Sequence, residues 1–281
     1  MTIKTVAVLG AGVLGSQIAF QTAFHGFDVI AYDVSSEALT KSHTTIAWMI
    51  EQMAKDQLGT EYDFDAAQQR IGFTTVLADA VRKADLVIEA VPERIDIKRE
   101  VYRKITAVAR PETIFATNSS TLLPSALAEA TGRPDRFAAL HFANEIWRHN
   151  VAEVMGHTGT SPEVIATVTQ FATDIGMVPV VLHKEQRGYV LNSLLVPLLG
   201  AAATLLGKGI AAPRDIDRTW KIGTGAPKGP FEIFDIVGLN TVYNIMASGD
   251  HEERHFAEML QKNYIDKGFL GMASGRGFYE Y

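Results

Sequence analysis

Short apolar runs rich in valine and isoleucine alternate with longer stretches of helical spacing through the first two thirds of the chain. TVAVLG, DVIAYD, ADLVIEAV, TIFATN, AALHF and MVPVVLH have the length and β-branched content of buried strands. Between the first two lies VLGSQIAFQTAFHGF, whose apolar positions recur at helical spacing and which Gly26 ends. Strands alternating with helices predict a mostly parallel, doubly wound sheet, because parallel neighbours need a crossover and a helix supplies it. Residues 37–58 follow a helical pattern with Ile46, Ile50, Met53 and Ala54 on one face. This stretch is long for a crossover, so it is predicted to form an arm projecting from the sheet. TSPEVIATVTQFATDIG starts on a Ser161 cap with Pro162 in the first turn and stops at Gly176. Beyond Lys184 the strand signals end, and helical patterns and turns such as GTGAPKGP take over. The expected organisation is an α/β domain over residues 1–184 and an all-α domain over 185–281.

Composition narrows the class. With 47% hydrophobic and 21% charged residues among 281, the chain has ample apolar surface for a core. A formal charge of -6 argues against nucleic acid as a partner, since phosphate binding needs a basic face. Cysteine is absent, which removes disulfides, thiolate chemistry and cysteine-held zinc. MTIKTVAVLGAG lacks the basic start and apolar core of a secretory signal. The most apolar segment, LLVPLLGAAATLL from Leu194, is shorter than the roughly 18–20 residues a bilayer requires and contains a proline, so it is read as a buried core helix. A cytoplasmic protein with no membrane partner is expected.

The first candidate site lies where the first strand meets the first helix. Gly10, Gly12 and Gly15 form G-x-G-x-x-G, with Val13 and Leu14 between them. A bare match to this pattern carries little, but here it follows an apolar strand and opens a helix. Gly10 permits the tight turn, Gly12 lets backbone approach a pyrophosphate, and Gly15 lets helix and strand pack closely. The helix start then offers N–H groups and partial positive charge to phosphates. Asp33 ends the second strand 18 residues after Gly15. A carboxylate there accepts hydrogen bonds from ribose hydroxyls and repels a 2′-phosphate, and Val34, Ser35 and Ser36 bring no arginine to hold one. The predicted ligand is NAD in a Rossmann-like domain.

A second stretch, ALHFANEIWRHNVAEVMGH, holds His141, His149, His157, Glu145 and Glu153. On the residues alone His141 reads first as a core histidine bonded to backbone. Glu153 sits among Val151, Val154 and Met155, where a carboxylate needs a partner that the pattern does not name. His149, Glu145 and His157 read as loop or rim positions. No H-E-x-x-H or comparable spacing points to a metal site, and none is expected.

In order along the chain, GAGVLGSQIA, ADLVIEAVPERIDIK, TIFATNSSTL, RFAALHFAN, AEV, GYVLNSLLVPLL, DIDRTWKIGTGAPKGPFEIFDIVGLNT and SGRGFYEY resemble the 3-hydroxyacyl-CoA dehydrogenase family, most of all its short bacterial 3-hydroxybutyryl-CoA members. The resemblance spans nearly the whole chain. It implies a helical C-terminal domain that carries a homodimer interface, and NAD-dependent interconversion of an (S)-3-hydroxyacyl-CoA with its 3-oxo form. It also implies His141 as the catalytic base with Glu153 as its partner. An imidazole titrates near neutrality and suits proton removal from a hydroxyl, while a carboxylate on its other nitrogen fixes the tautomer. By the same resemblance Ser120 hydrogen-bonds the reacting oxygen and Asn192 contacts substrate. Glu93, Lys98, Asn118, Ser120 and Asn144 are placed near the nicotinamide. From the residues alone, Ser120 and Asn192 read as caps, and Lys98 as a solvated helix charge.

The chain departs from this pattern in three places, and each concerns the substrate. Glu145 and Trp147 stand where the family has prolines after the histidine, bringing an aromatic ring and charge to the approach. Met49 and Asp56 align with a serine and a lysine that contact CoA, with Lys55 one place away. Ala273 aligns with a lysine before the terminal GFY. CoA carries phosphate charge that cationic side chains usually hold. A dehydrogenase of a free hydroxy acid or other small carbonyl compound therefore stays open beside the CoA reading. So does a non-catalytic NAD-binding structural protein.

Overall fold

The computed structural model describes residues 2–247, 249 and 251–281. The chain divides into two compact units, one ending at Val190 and the other running Leu191–Tyr281, a few residues beyond the expected 184/185 boundary.

The first unit is one eight-stranded sheet clothed by helices. Its strands are β1 (Thr5–Leu9), β2 (Asp28–Tyr32), β3 (Ile71–Thr74), β4 (Leu86–Glu89), β5 (Ile114–Thr117), β6 (Phe137–Phe142), β7 (Val151–Met155) and β8 (Val178–Leu182). They lie in the order β3-β2-β1-β4-β5-β6-β7-β8, and only β6 and β7 run antiparallel to each other. Helices α1 (Val13–Phe24), α2 (Ser36–Lys55), α3 (Glu61–Gln69), α4 (Leu77–Val81), α5 (Ile95–Thr106), α6 (Pro124–Ala128) and α7 (Pro162–Asp174) supply the crossovers. This is the doubly wound arrangement that alternating strands and helices predict. β3 is four residues long and contains Gly72, so it leaves almost no pattern in the sequence.

Central strands are buried on both faces, as a parallel sheet between helix layers requires. Every residue of β4, β5 and β6 is buried. β8 closes one edge, and its Pro179 and half-exposed valines suit an edge strand. The predicted arm is α2, which does not simply project but packs against α1. Its buried stripe runs Leu39, Ser42, Ile46, Met49 and Met53. Ala54, placed on that face from the sequence, is exposed, because it lies one residue further round the helix than Met53 and off the buried stripe. Ser161 caps α7 by accepting a hydrogen bond from the Val164 N–H at 3.2 Å, and Gly176 turns the chain in the left-handed region.

The second unit is all helical: α8 (Leu191–Gly207), α9 (Pro213–Thr224), α10 (Pro230–Val237), α11 (Leu239–Met246) and α12 (His251–Asn263), gathered round Phe231, Phe234, Leu239, Phe256 and Leu260. The apolar LLVPLLGAAATLL lies in α8, but it is not the enclosed core helix expected. Only Leu199, Ala202 and Ala203 are buried, while Leu194 is 69% exposed, because an evenly apolar helix on the outside of a small bundle covers one face only. Among the described residues no helix is long and apolar enough to cross a membrane.

Two buried carboxylates tie this unit together. Asp217 accepts from the Phe231 and Glu232 amides and the Tyr279 hydroxyl. Asp235 accepts from the Phe278 and Tyr279 amides and the Tyr281 hydroxyl, which anchors the chain end. Asp235→Ala strands two amides of that segment without an acceptor and should cost about 2–4 kcal/mol of stability in denaturant unfolding. A loss under about 0.5 kcal/mol would show the anchor to be dispensable.

Candidate active site

Gly10 lies directly after β1 with φ +104°, a conformation that glycine adopts without strain. A Cβ there would sit 2.5 Å from the Ala90 carbonyl oxygen, and one on Gly15 would sit 1.9 Å from the Gly10 carbonyl oxygen. Both glycines are thus required by the close passage of β1, α1 and the end of β4. Gly12 differs: a Cβ there would meet no protein atom within 4 Å. It is the exposed N-cap of α1, so its missing side chain leaves room for something outside the fold, as the backbone approach to a pyrophosphate requires. Val13 is exposed beside it and Leu14 is half-buried. Asp33 stands at the end of β2, with one carboxylate oxygen accepting from the Ala11 N–H at 2.9 Å and the other from the Ser35 N–H at 3.0 Å. The acidic group is held against the glycine loop with lone pairs to spare for ribose hydroxyls.

The edge where β4, β5 and β6 end carries the chemistry. In the antiparallel register of β6 and β7, His141 lies directly opposite Glu153, so the two side chains share one face. His141 Nδ1 is 3.0 Å from Glu153 Oε2, and both residues are buried. A carboxylate accepts, so Nδ1 carries the proton and Nε2 presents a lone pair. Ser120 Oγ sits 3.1 Å from Nε2 and donates to it. The second carboxylate oxygen, Oε1, accepts from the Val190 N–H at 2.8 Å. These three residues form a continuous Ser–His–Glu relay.

The loop bearing Ser120 is held from below. Glu93 accepts from Ser119 Oγ at 2.5 Å and from the Thr121 N–H and hydroxyl at 2.8 Å each. Burial alone would raise the Glu93 carboxyl, but these donors and the Lys98 charge outweigh it and hold it below the usual range. Lys98 is not the solvated helix charge that its residue type suggests, being 1% exposed. Its Nζ lies 2.5 Å from Glu89 Oε1, 3.1 Å from the Val91 carbonyl and 3.4 Å from Glu93 Oε2. Glu89 was not singled out from the sequence. It is fully buried and also accepts from Thr117, Tyr102 and the Val91 amide. Desolvation raises its carboxyl, partly offset by Lys98. A glutamate ending the apolar run LVIE was the available signal. Asn118 Oδ1 accepts from the Phe142 N–H at 3.0 Å and so links β5 to β6 behind His141.

The other candidates fall elsewhere. Asn144 is exposed on the loop after β6. Glu145 occupies the left-handed region with φ +57° and pairs with Arg148. His149 is exposed, and His157 bonds the Pro134 carbonyl at 2.9 Å. Trp147 does not line an open approach. Its ring is buried against Trp48 of α2, because the loop folds down onto that helix. Asn192 lies in the first turn of α8, in the second unit. Among the described residues no group of three or more His, Asp or Glu could hold a metal ion.

A glycine-bounded loop at a helix start and a hydrogen-bonded Ser–His–Glu chain at the neighbouring strand ends suit a dinucleotide-dependent oxidoreductase. Residues 5–186 match the NAD binding domain of 3-hydroxyacyl-CoA dehydrogenase, and residues 188–281 match its C-terminal domain. The chain belongs to the 3-hydroxyacyl-CoA dehydrogenase family and is an NAD-dependent oxidoreductase. It is 34% identical to a probable 3-hydroxybutyryl-CoA dehydrogenase of Bacillus subtilis, over 100% of this chain and 98% of that one. A solved (S)-3-hydroxybutyryl-CoA dehydrogenase from Ralstonia eutropha shares 33% identity with a TM-score of 0.85, covering 100% of this chain and 99% of that one. A solved diketoreductase, described as carrying out dual catalysis of dicarbonyl compounds, shares 59% identity with a TM-score of 0.97 and covers 100% of both chains.

The two helix-start glycines separate folding from binding. Gly12→Ala should leave Tm within about 2 °C and weaken NADH at least about ten-fold in a fluorescence titration, because only the ligand needs that space. Gly15→Ala should lower Tm by about 3–10 °C, since its Cβ strikes backbone. Equal Tm losses in the two variants would contradict this division.

Proposed function

We propose that the protein interconverts an (S)-3-hydroxyacyl thioester, short-chain and CoA-linked, with its 3-oxo form. The observation that carries this reading is the Ser120–His141–Glu153 relay at 3.1 and 3.0 Å beside a dinucleotide cradle. In the oxidative direction His141 Nε2 takes the proton from the substrate hydroxyl. Glu153, already bonded to Nδ1, stabilises the imidazolium as it forms. The Ser120 hydroxyl turns from Nε2 to the reacting oxygen and steadies its developing charge. In reverse the imidazolium returns its proton to that oxygen. NAD, when bound, supplies the hydride acceptor. Gly10, Gly12, Val13, Leu14, Gly15 and Asp33 hold its nucleotide end. Glu93, Lys98, Asn118 and Asn144 serve its nicotinamide end, Lys98 through the charge that it lends to Glu93.

A second reading, reduction of a small dicarbonyl compound without CoA, has its own support. Met49, at a position where the family resemblance implies a CoA contact, is fully buried. Asp56, at the other, carries the wrong charge for a phosphate. It is bound by Arg148 at 2.6 Å and by Trp147 Nε1 at 3.4 Å, so the nearest cation is already committed. The Arg148 hydrogen bond holds the Asp56 carboxyl below its usual range and therefore charged. The 59% identical relative, described as acting on dicarbonyl compounds, supports the same choice. The relay serves either substrate, because the proton it moves belongs to the carbon–oxygen bond they share.

The proposal includes a cytoplasmic homodimer formed through the second unit. Its exposed apolar side chains Leu194, Ile210, Ile222 and Ile245 support that interface.

Steady-state reduction by NADH of acetoacetyl-CoA, free acetoacetate and simple diketones should give measurable turnover. His141→Ala should lower kcat by at least about 10³-fold in protein that remains folded, with Tm lowered because Glu153 loses its partner. Preference for acetoacetyl-CoA in kcat/KM would select the thioester reading, and preference for the diketones would select the second. Turnover by His141→Ala equal to wild type would reject the relay under both.

A further inference from the structure

One aromatic side chain with no part in the reaction above touches the relay from a third side. The Tyr189 ring lies flat on the His141 imidazole, with centroids 4.5 Å apart and planes 12° from parallel. It is 1% exposed, and its hydroxyl donates to the Ser119 carbonyl at 2.7 Å, one residue before Ser120. Its backbone is also unusual. Tyr189 has φ +55°, the left-handed region that bulky L-residues rarely enter. That turn presents the next amide, Val190 N–H, to Glu153 Oε1 at 2.8 Å. Strain of this kind persists only where the surroundings fix it, and it collects at functional sites.

We propose that Tyr189 is a positioning residue that clamps all three members of the relay at once. Its ring fixes the plane of the imidazole. Its hydroxyl ties the backbone beside Ser120. Its left-handed backbone delivers the amide that occupies one Glu153 oxygen, leaving the other for His141 Nδ1. Without the clamp, Glu153 can turn about its last bond and the imidazole can tilt, so Nε2 no longer meets the reacting oxygen on every approach. Tyr189 itself transfers no proton. Burial, with Glu93, Glu153 and Glu89 nearby, pushes its phenol far above the ordinary tyrosine range.

The inference rests on His141 being the base, and the test separates the two. Full-length Tyr189→Leu, Tyr189→Phe and His141→Ala are compared by kcat, by KM, by NADH titration and by nitrogen NMR of the His141 ring. Tyr189→Leu should lower kcat at least about ten-fold while KM and NADH affinity stay within about three-fold. The ring nitrogens should pass from one Nδ1–H tautomer to a mixture. Tyr189→Phe keeps the stack and the backbone and loses only the hydroxyl tie, so it should keep a single tautomer and a kcat well above that of Tyr189→Leu, any remaining loss reading the tie to Ser119. Should Tyr189→Leu fail to fold, Tyr189→Met, unbranched and of similar bulk, carries the same readings. Wild-type kcat and a single tautomer in the folded Leu or Met variant would overturn the clamp, as would a Phe variant as impaired as Leu. His141→Ala that turns over like wild type would instead overturn the underlying reading. The tautomer measurement needs no substrate.

Discussion

A carboxylate enclosed by an apolar strand is the constraint around which the site is built. Glu153 is 3% exposed between Ala152 and Val154, and an ionised group in such a place is tolerated only when it is paired and hydrogen-bonded. Its two oxygens find His141 Nδ1 and the Val190 N–H. The first contact follows from the one antiparallel pairing in the sheet, which sets residue 153 directly across from residue 141. The second follows from the left-handed turn at Tyr189. Shifting the register of β7 by one residue would turn Glu153 to the opposite face and leave both charge and imidazole without partners. Packing of the sheet and tautomer of the His141 imidazole are therefore one decision.

A second buried charge supports the neighbouring loop. Glu89 and Lys98 lie almost wholly inside the protein, and removing either partner of such a pair typically costs about 3–5 kcal/mol. Their role is not to add stability, since an apolar pair of similar bulk does as well or better. They carry hydrogen bonds outward. Glu89 gathers Thr117, Tyr102 and the Val91 amide, and Lys98 reaches Glu93, which in turn holds Ser119 and Thr121. Ser120 is thus fixed on both sides by a network rooted in β4 and α5.

The same economy separates reaction from substrate. His141 and Glu153 are buried and paired with each other, whereas Asp56, one of the positions where CoA would be held, lies at the outer end of α2. There Arg148 pairs with both Asp56 and Glu145 at the surface, and Trp48 packs on Trp147. A chain can change these outer residues at little cost to its fold, since exposed pairs contribute about 0–1 kcal/mol. Substrate preference is free to vary while proton and hydride chemistry stay the same.

What the sequence determined by itself was whatever depends on near neighbours. Strand and helix alternation, the Ser161 cap with Pro162, and the glycines at 10, 12 and 15 are consequences of local backbone geometry, so they could be read in order along the chain. The family likeness named His141, Glu153 and Ser120. The residues alone could say only that an enclosed glutamate wanted a partner. Four-residue β3, with Gly72 inside it, was too short to leave a period. The outward faces of α8 were hidden because uniform apolarity says that a helix wants cover without saying on how many sides. Only the tertiary structure decided that Lys98 is buried on Glu89, that Asp56 faces Arg148, and that Tyr189 stacks on His141. Those pairs lie 9, 92 and 48 residues apart, and all but the first have a separation that no local periodicity encodes. They are chosen by sheet order, register and one strained turn, which exist only once the chain has closed on itself.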